Sequence, residues 1–511
     1  MTAPTFSGLT FAVAAGTLLL GLALLRCLFA AAGSIFTAGG SIFTAGGSMF
    51  AVGRLLLEQA SRQRGILFSL LLFVGVLAGL PLVLGTNYPL AHRVQSYLSY
   101  AQPVAALFLS FLTVLFASRH IAGELGEGHA ATLFTKPLSS MSYVVGKFLA
   151  LALLNLLLVG VAAGIVFATV RVHFYAQPAD DATWTRLETE VLVGRQAVPP
   201  TPPPELATQV DERFAALEPE WIAEQGGANA VLSDLERQVE LSWRSVPIGT
   251  ERTFVFEGLK PSQGGGADDS TTLQLRYRLY ASPRPPDGRI ELVLRIGGEP
   301  LHVTALANKV SVTELPARAV GPAGRLEVAV TRVTSKNGAE LAIAFVGRDG
   351  LEVLYPVSGF AANLSRGMTV RWLRLTCLGM LAALASTFLS FAVAAVFSLT
   401  GLLVATSSSY VLQVVSRGHD DGHAGHGHAG HEHGAEDPLY EQLVEPVMGV
   451  VARLLSEYSR VDVTERLVDG RLISWGDVVD QWLWLGLGWS GVCGMLAVFI
   501  LRRRELAKVQ V

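Results

Sequence analysis

Charge is scarce in this chain. Of its 511 residues only 16% are Asp, Glu, Lys or Arg, where a soluble globular protein carries about a quarter. Hydrophobic residues make up 51% and the mean hydropathy is positive, +0.43. The chain therefore reads as a polytopic membrane protein with a soluble portion. The 39 basic and 42 acidic residues leave a net charge of −3; with no basic stripe interleaved with aromatics, no nucleic-acid partner is expected. Cysteine is nearly absent. Cys27, Cys377 and Cys493 all fall inside apolar runs, so they read as packing residues, and no disulfide framework holds the soluble portion together. No G-x-x-x-x-G-K-[ST] occurs: Gly146-Lys147 precedes Phe148 and follows no glycine-rich turn, so nothing here cradles a nucleotide phosphate. A G-x-G-x-x-G string at Gly425, Gly427 and Gly430 sits in a histidine-rich loop with no preceding strand and is a compositional accident. There is no H-E-x-x-H for a zinc hydrolase, and no set of nucleophile, base and oxyanion donors for a membrane-embedded enzyme.

What the chain does hold is a series of lipid-length apolar runs. A bilayer-spanning helix needs about 20 mostly apolar residues, and the candidates are 66–85, 103–118, 148–170, 372–389, 391–408 and 482–501. A seventh run, 9–32, has no charged residue before Arg26. Lacking the positive start of a secretory signal, it reads as an extra, uncleaved N-terminal helix. Three seven-residue copies follow, GSIFTAG, GSIFTAG and GSMFAVG (33–53). Their paired junction glycines each cost about 1 kcal/mol inside a helix, so the repeat reads as a duplicated linker rather than a coiled coil. Arg54, Arg62 and Arg64 then mark an amphipathic approach to the next run. Apart from Arg26 the span interiors carry almost no ionisable group, with Asn155 their main polar residue; this points away from proton coupling. Gly75/Gly79 and Gly160/Gly164 have the spacing that lets membrane helices approach closely, although chance produces such pairs about as readily.

Residues 172–365 read as a soluble insertion. After the proline-rich VPPTPPPEL (198–206), helical spacing places Val210, Phe214, Leu217 and Trp221, then Leu232, Leu235 and Val239, on apolar faces. From 253 to 357 six segments alternate: TFVFEGL, TLQLRYRLY, RIELVLRI, LEVAVTRV, ELAIAFV and LEVLYPV. Short strands separated by Gly and Pro turns predict an antiparallel β-sandwich.

Between the second and third core runs lies SRHIAGELGEGHAATLFTKPLSSMSYVVGKF (118–148). A turn carrying Glu124, Glu127, Lys136 and Lys147 must sit at one membrane face, and its basic residues favour the cytoplasmic one. The tract from Ala130 to Phe134 reads as a short surface helix ending at Pro137, with re-entry at Gly146-Lys147-Phe148. Such a helix is a docking surface for a soluble partner. Arg54–Arg64 and Arg502–Arg504 fall on the same side, and counting spans puts 172–365 and 409–481 on the other. Arg366, Arg371 and Arg374 disagree with this topology unless they snorkel to the outer headgroups.

Glu127-Gly128, Lys136-Pro137-Leu138-Ser139 and Gly146-Lys147-Phe148 together resemble the coupling segment of type-2 ABC (ATP-binding cassette) transporter permeases, most nearly the branch described as involved in multi-copper enzyme maturation. Members usually carry Glu-Gly-Thr-Leu, Lys-Pro-Val-Ser-Arg and Gly-Lys-Phe; His129-Ala130 and Ser140 depart from that pattern. STFLSFAVA (386–394), LVDGRLISW (467–475) and LRRRELA (501–507) follow in the expected order. The resemblance implies a mainly α membrane protein: a six-helix type-2 ABC permease core plus one extra N-terminal helix, with an inserted extracytoplasmic α+β domain containing a β-sandwich. Its parts would be 1–53, 54–171, 172–365 (helical 205–244, sandwich 246–358), 366–408, 409–481 and 482–511. It further implies a multi-pass exporter subunit in the inner (plasma) membrane, in contact with membrane lipids. ATP hydrolysis would come from a separate cytoplasmic ABC ATPase subunit, coupled through Glu124, Glu127, Gly128, Lys136, Pro137, Gly146 and Lys147. A second permease, as homodimer or heterodimer, would complete the pathway. The alternative is a non-transporting polytopic envelope protein that displays the sandwich and a metal-buffering loop.

That loop, HDDGHAGHGHAGHEHGAED (419–437), holds six of the eleven histidines: His419, His423, His426, His428, His431 and His433. Imidazole suits Zn, Cu or Ni, and a Gly-rich tract can gather several rings around one ion. Deleting 419–433 is expected to abolish zinc retention by the purified protein while membrane insertion persists. Retention by the intact chain is expected to fall below about pH 6, where imidazoles protonate and cease to be ligands. Equilibrium dialysis against zinc across that range checks both.

Overall fold

The computed structural model describes residues 47–503, apart from 63, 85–87, 127–138, 225–226, 248–249, 261–272, 283–284, 286–287, 316–318, 322, 335–341, 346, 348–349 and 421–455. The run at 9–32, the first two repeat copies and the terminal tail lie outside the described residues. Two units result. A helical one comprises the chain up to Leu192 and from Phe360, and a β-rich one spans Val193–Gly359.

The helical unit opens with α1 (Gly47–Arg62). The third repeat copy is thus helical, which corrects the linker reading. Val52, Leu56, Leu57 and Ala60 form a buried stripe at helical spacing. At about 25 cal/mol per Å² their burial outweighs the roughly 1 kcal/mol that a glycine costs. After α2 (Arg64–Val83) comes α3 (Leu90–Gly126), then α4 (Ser140–Ala168) with a π-helical extension at Thr169–Phe174. At 1.5 Å per residue the 37 residues of α3 span about 55 Å, well beyond a hydrocarbon core of about 30 Å. The helix starts before its apolar run because Leu90, Val94, Tyr97, Leu98 and Ala101 bury one face, with the Tyr97 ring 5.8 Å from that of Phe174. Past α5 (Asp181–Arg186), Leu187, Val191 and Leu192 join this same core. The insertion therefore begins at Val193 and ends at Gly359, inside the 172–365 expected from hydropathy.

Within the insertion, β1 (Val193–Val198) precedes α6 (Glu205–Ala215), α7 (Pro219–Glu224) and α8 (Ala228–Trp243). Val210 and Val239 are buried, whereas Trp221 is exposed. The strands that follow are β2 (Ser245–Val246), β3 (Arg252–Phe256), β4 (Leu273–Ser282), β5 (Arg289–Ile296), β6 (Glu299–Leu306), β7 (Val310–Leu315), β8 (Leu326–Thr334), β9 (Ala342–Phe345) and β10 (Leu351–Gly359). One sheet runs β1-β10-β4-β9-β2 with β7 also on β4; the other runs β3-β8-β5-β6. Alternate residues of both sheets, among them Phe254, Leu292 and Val328 from one and Leu275, Phe345 and Val353 from the other, enclose a single core. The Phe254 and Phe345 rings meet edge to face at 5.3 Å, an arrangement aromatic quadrupoles favour. Entry and exit are neighbours, since Val193 pairs with Gly359.

The chain resumes in α9 (Phe360–Ser386) and α10 (Phe391–Asp420). After 455 come a helical turn at 456–459, α11 (Val463–Val468), and α12 (Trp475–Gln481), which continues through a π-helical stretch (Trp482–Trp489) into α13 (Ser490–Arg503). Leu90–Gly126, Ser140–Phe174, Phe360–Ser386 and Trp475–Arg503 are long and apolar enough to cross a membrane; Phe68–Val83 and Phe391–Ser407 are apolar but shorter.

The LVDGRLISW segment folds back on α9. The Asn363 amide donates to the Arg471 carbonyl and accepts from the Ile473 N–H, both at 2.8 Å. The α9 arginines are engaged by their neighbours in the helical unit. Arg366 lies over the Trp475 ring at 5.2 Å, Arg374 donates to the Val461 carbonyl at 2.6 Å, and Arg371 is 6% exposed. Among the described residues the close approaches expected at Gly79, Gly160 and Gly164 are not found, since a Cβ there would meet nothing within 4 Å. Gly379 takes that role: its Cβ would come within 2.5 Å of Leu151 on α4.

The fragment 193–359 contains no cysteine, so its thermal unfolding, followed by circular dichroism, is expected to be cooperative and unchanged by reductant. Phe254→Ala is expected to lower its stability by about 3–5 kcal/mol.

Candidate coupling site

Helix α3 does not stop where its apolar run stops. Ser118, His120, Ile121 and Glu124 continue its buried face to Gly126. On the other side of the connection, Ser139 caps α4 by accepting from the Ser142 N–H at 3.0 Å, one of the four orphan donors of a helix start. The polar turn expected over 119–145 is thus reduced to about half its length, with helix on both flanks. Glu124 and Lys147 therefore sit within helices rather than in the turn.

These two residues meet. Lys147 Nζ donates to Glu124 Oε1 at 2.5 Å, and the Tyr143 hydroxyl donates to Oε2 at 2.7 Å. Tyr143 and Lys147 are four residues apart on one face of α4, and the ammonium also lies 5.6 Å from the Tyr143 ring centre. Side-chain exposure is 3% for Lys147 and 10% for Glu124. A charge so far from water survives only when paired and hydrogen-bonded. Here both carboxylate oxygens have a donor, and the pair pins the end of α3 to the start of α4.

Gly146 lies one residue before Lys147 and faces elsewhere. A Cβ at this position would lie 2.5 Å from the Met49 carbonyl oxygen and 3.1 Å from Val52 Cβ, so α1 presses directly on the α4 backbone. Val52, Ile121, Tyr143 and Val144 then share a core with Met380 and Ala383 of α9 and with Cys493, Ala497 and Leu501 of α13. Five helices converge at the base of the 127–139 connection.

Of the residues expected to couple to an ATPase, Glu124, Gly146 and Lys147 are brought together. Glu127, Gly128, Lys136 and Pro137 lie outside the described residues, as does the surface helix read at Ala130–Phe134. His419 falls in the last turn of α10, its side chain outside the description, and His423, His426, His428, His431 and His433 are also outside it. Among the described residues no group of three or more His, Cys, Asp or Glu could hold a metal. Tyr143 was missed. The i,i+4 spacing of an aromatic hydroxyl and a lysine opening a lipid-length run was the signal available. In the span interior the Thr113 hydroxyl donates to Asn155 Oδ1 at 2.8 Å, giving that polar residue a partner.

Residues 59–186 match the family model described as ABC-2 family transporter protein. The matched stretch runs from the end of α1 to the end of α5 and contains all seven expected coupling residues. No curated protein and no solved structure shows a significant match to the chain. The match supports a type-2 ABC permease, a membrane transporter subunit generally not itself catalytic.

Lys147→Met is expected to destabilise the protein by about 3–5 kcal/mol, because it leaves Glu124 buried and unpaired; adding Glu124→Gln is expected to restore most of the loss. Thermal denaturation in detergent, followed by intrinsic fluorescence, checks the pair.

Proposed function

We propose that the chain is the membrane-spanning permease subunit of an ATP-driven ABC exporter, coupled through 127–139 to a separate cytoplasmic ATPase. The observation that carries this is the Glu124–Lys147–Tyr143 clamp at the base of the connection, inside the stretch that matches the ABC-2 transporter family. A loop hung between unconnected helices would absorb a push by bending. Clamped helices transmit it.

The route onward is packed. Helix α4 meets α9 where Gly379 approaches Leu151 and where the Trp372 indole N–H donates to the Ala152 carbonyl at 2.7 Å. Closure of the ATPase subunits would tilt α3 and α4 together and carry α9 with them, opening the opposite face of the bundle. We assign Arg502 and Arg503 to the cytoplasmic end of the continuous helix Trp475–Arg503 and Trp475, Trp482 and Trp484 to its outer end, since basic residues favour the inside and indoles the interface. On this reading the protein is a multi-pass protein of the inner membrane, and the β-rich unit lies outside the cytoplasm. A second permease, identical or related, completes the pathway. The resemblance to the multi-copper enzyme maturation branch favours reading the β-rich unit as the part that receives, gates or hands over cargo.

Charge reversal Glu127→Lys, or a helix break Leu133→Pro, is expected to leave membrane insertion intact, because neither alters a span. Each is expected to reduce stimulation of ATP hydrolysis by the co-purified ATPase at least about tenfold, the scale of a lost interfacial hot spot. Unchanged stimulation in both variants of a reconstituted complex sinks the coupling assignment.

A further inference from the structure

Two guanidiniums of α9 line a cavity of about 330 Å³ enclosed by α3, α9, α10 and residues 458–464. Arg371 is 94% buried, and among the described residues its Nη1 has no hydrogen-bond partner; neither has Nε of Arg374. Arg374 is otherwise held in place, donating to the Val461 carbonyl and lying 5.3 Å from the Tyr458 ring. The remaining ionisable groups of the lining are Tyr458 and Asp462. Asp462 is already occupied as the cap of α11, its Oδ1 accepting from the N–H groups of Thr464 and Glu465 at 2.9 Å each. Among the described residues two cations face one carboxylate, so the cavity carries one uncompensated positive charge and unmet N–H donors. A desolvated guanidinium is costly without a counter-charge, and its fork matches phosphate or carboxylate oxygens.

The rest of the wall is apolar: Pro103, Ala106, Leu107, Leu375, Leu402 and Leu403. Leu107 and Leu403 are 65% and 62% exposed. They stand on apolar helices, so the exposed surface beside the cavity is suited to acyl chains rather than to water. We propose that this cavity binds an anionic amphiphile, its oxyanion head held by Arg371 and Arg374 and its acyl chain lying over Leu107 and Leu403. The inference rests on the permease reading for its role, as cargo or as bound lipid, but not for the binding itself. At about 330 Å³ the cavity takes a head group and a few methylenes, which leaves the rest of the chain in the bilayer.

The test uses the full chain in neutral detergent micelles, without any ATPase, and a short-chain fluorescent phosphatidylglycerol followed by anisotropy. Saturable binding is expected, with the matched phosphatidylcholine at least about tenfold weaker and no displacement by inorganic phosphate in equimolar amount. Arg371→Gln and Arg374→Gln are each expected to weaken binding about tenfold, the scale of one charge-assisted contact. Asp462→Asn keeps a capping side chain while removing the negative charge, and is expected to tighten binding about threefold. That variant answers the question even where an arginine variant does not fold. Equal binding of the two lipids, displacement by inorganic phosphate, or no change in Asp462→Asn overturns the proposal. Failure of the full chain to co-purify with an ABC ATPase, in a separate pull-down and with lipid binding intact, would instead overturn the permease reading.

Discussion

The structure of the helical unit turns on how it disposes of a buried charge pair. Glu124 and Lys147 are polar residues at the ends of two long apolar helices, and neither could stay there alone. Paired, and with Tyr143 satisfying the second carboxylate oxygen, they become a fixed cross-link. Replacing such a pair with hydrocarbon is often neutral for stability. Its value is therefore better sought in geometry than in energy. A pair with short, directional contacts fixes the axial register of α3 against α4, which interchangeable leucines would not. Register is what a subunit that converts a push at a loop into helix tilt requires.

Hydropathy and motif order made much of this legible. Among the described residues the six core apolar runs fall largely on helices, the strands over 253–357 match six of the ten described, and the ordered Glu-Gly, Lys-Pro and Gly-Lys-Phe motifs fall within the stretch that matches the transporter family. Less legible was everything that depends on a partner distant in sequence. Hydropathy ended the second core run at 118 because Arg119, His120 and Glu124 are polar, yet the helix continues to Gly126 since its buried face continues. Likewise β6 is largely exposed and β7 turns its apolar Val310 and Val312 outward; they exist because β5 and β4 offer edges to pair with. Within the insertion, Arg276 and Glu352 look like two unrelated surface charges, but register places them directly opposite and they pair at 3.0 Å.

Glycine illustrates the same limit. The spacing rule selected Gly160 and Gly164, where a side chain would meet nothing. Gly146 and Gly379, isolated in sequence, are where backbones or neighbouring side chains crowd. A spacing rule finds glycines that could face a partner. Whether a partner is there depends on three-dimensional packing, and in this bundle the two tightest glycine contacts, both at 2.5 Å, fall where α1 and α9 cross α4.

The chain thus handles intramembrane charge in two different ways. At the base of the 127–139 connection, opposite charges cancel and both carboxylate oxygens are engaged, which gives a rigid joint. In the α9 cavity, two arginines face one carboxylate that is already committed to capping a helix, which leaves attraction to spare. A fold under selection for stability alone would treat the second site like the first, placing a carboxylate on α3 or α10 where Ala106, Ser110 and Thr406 stand. It has small and neutral residues there instead. Space with unsatisfied donors is a poor structural element but a suitable receptor. That contrast within one bundle is the reason to read the joint as machinery and the cavity as a place for something that arrives from outside the chain.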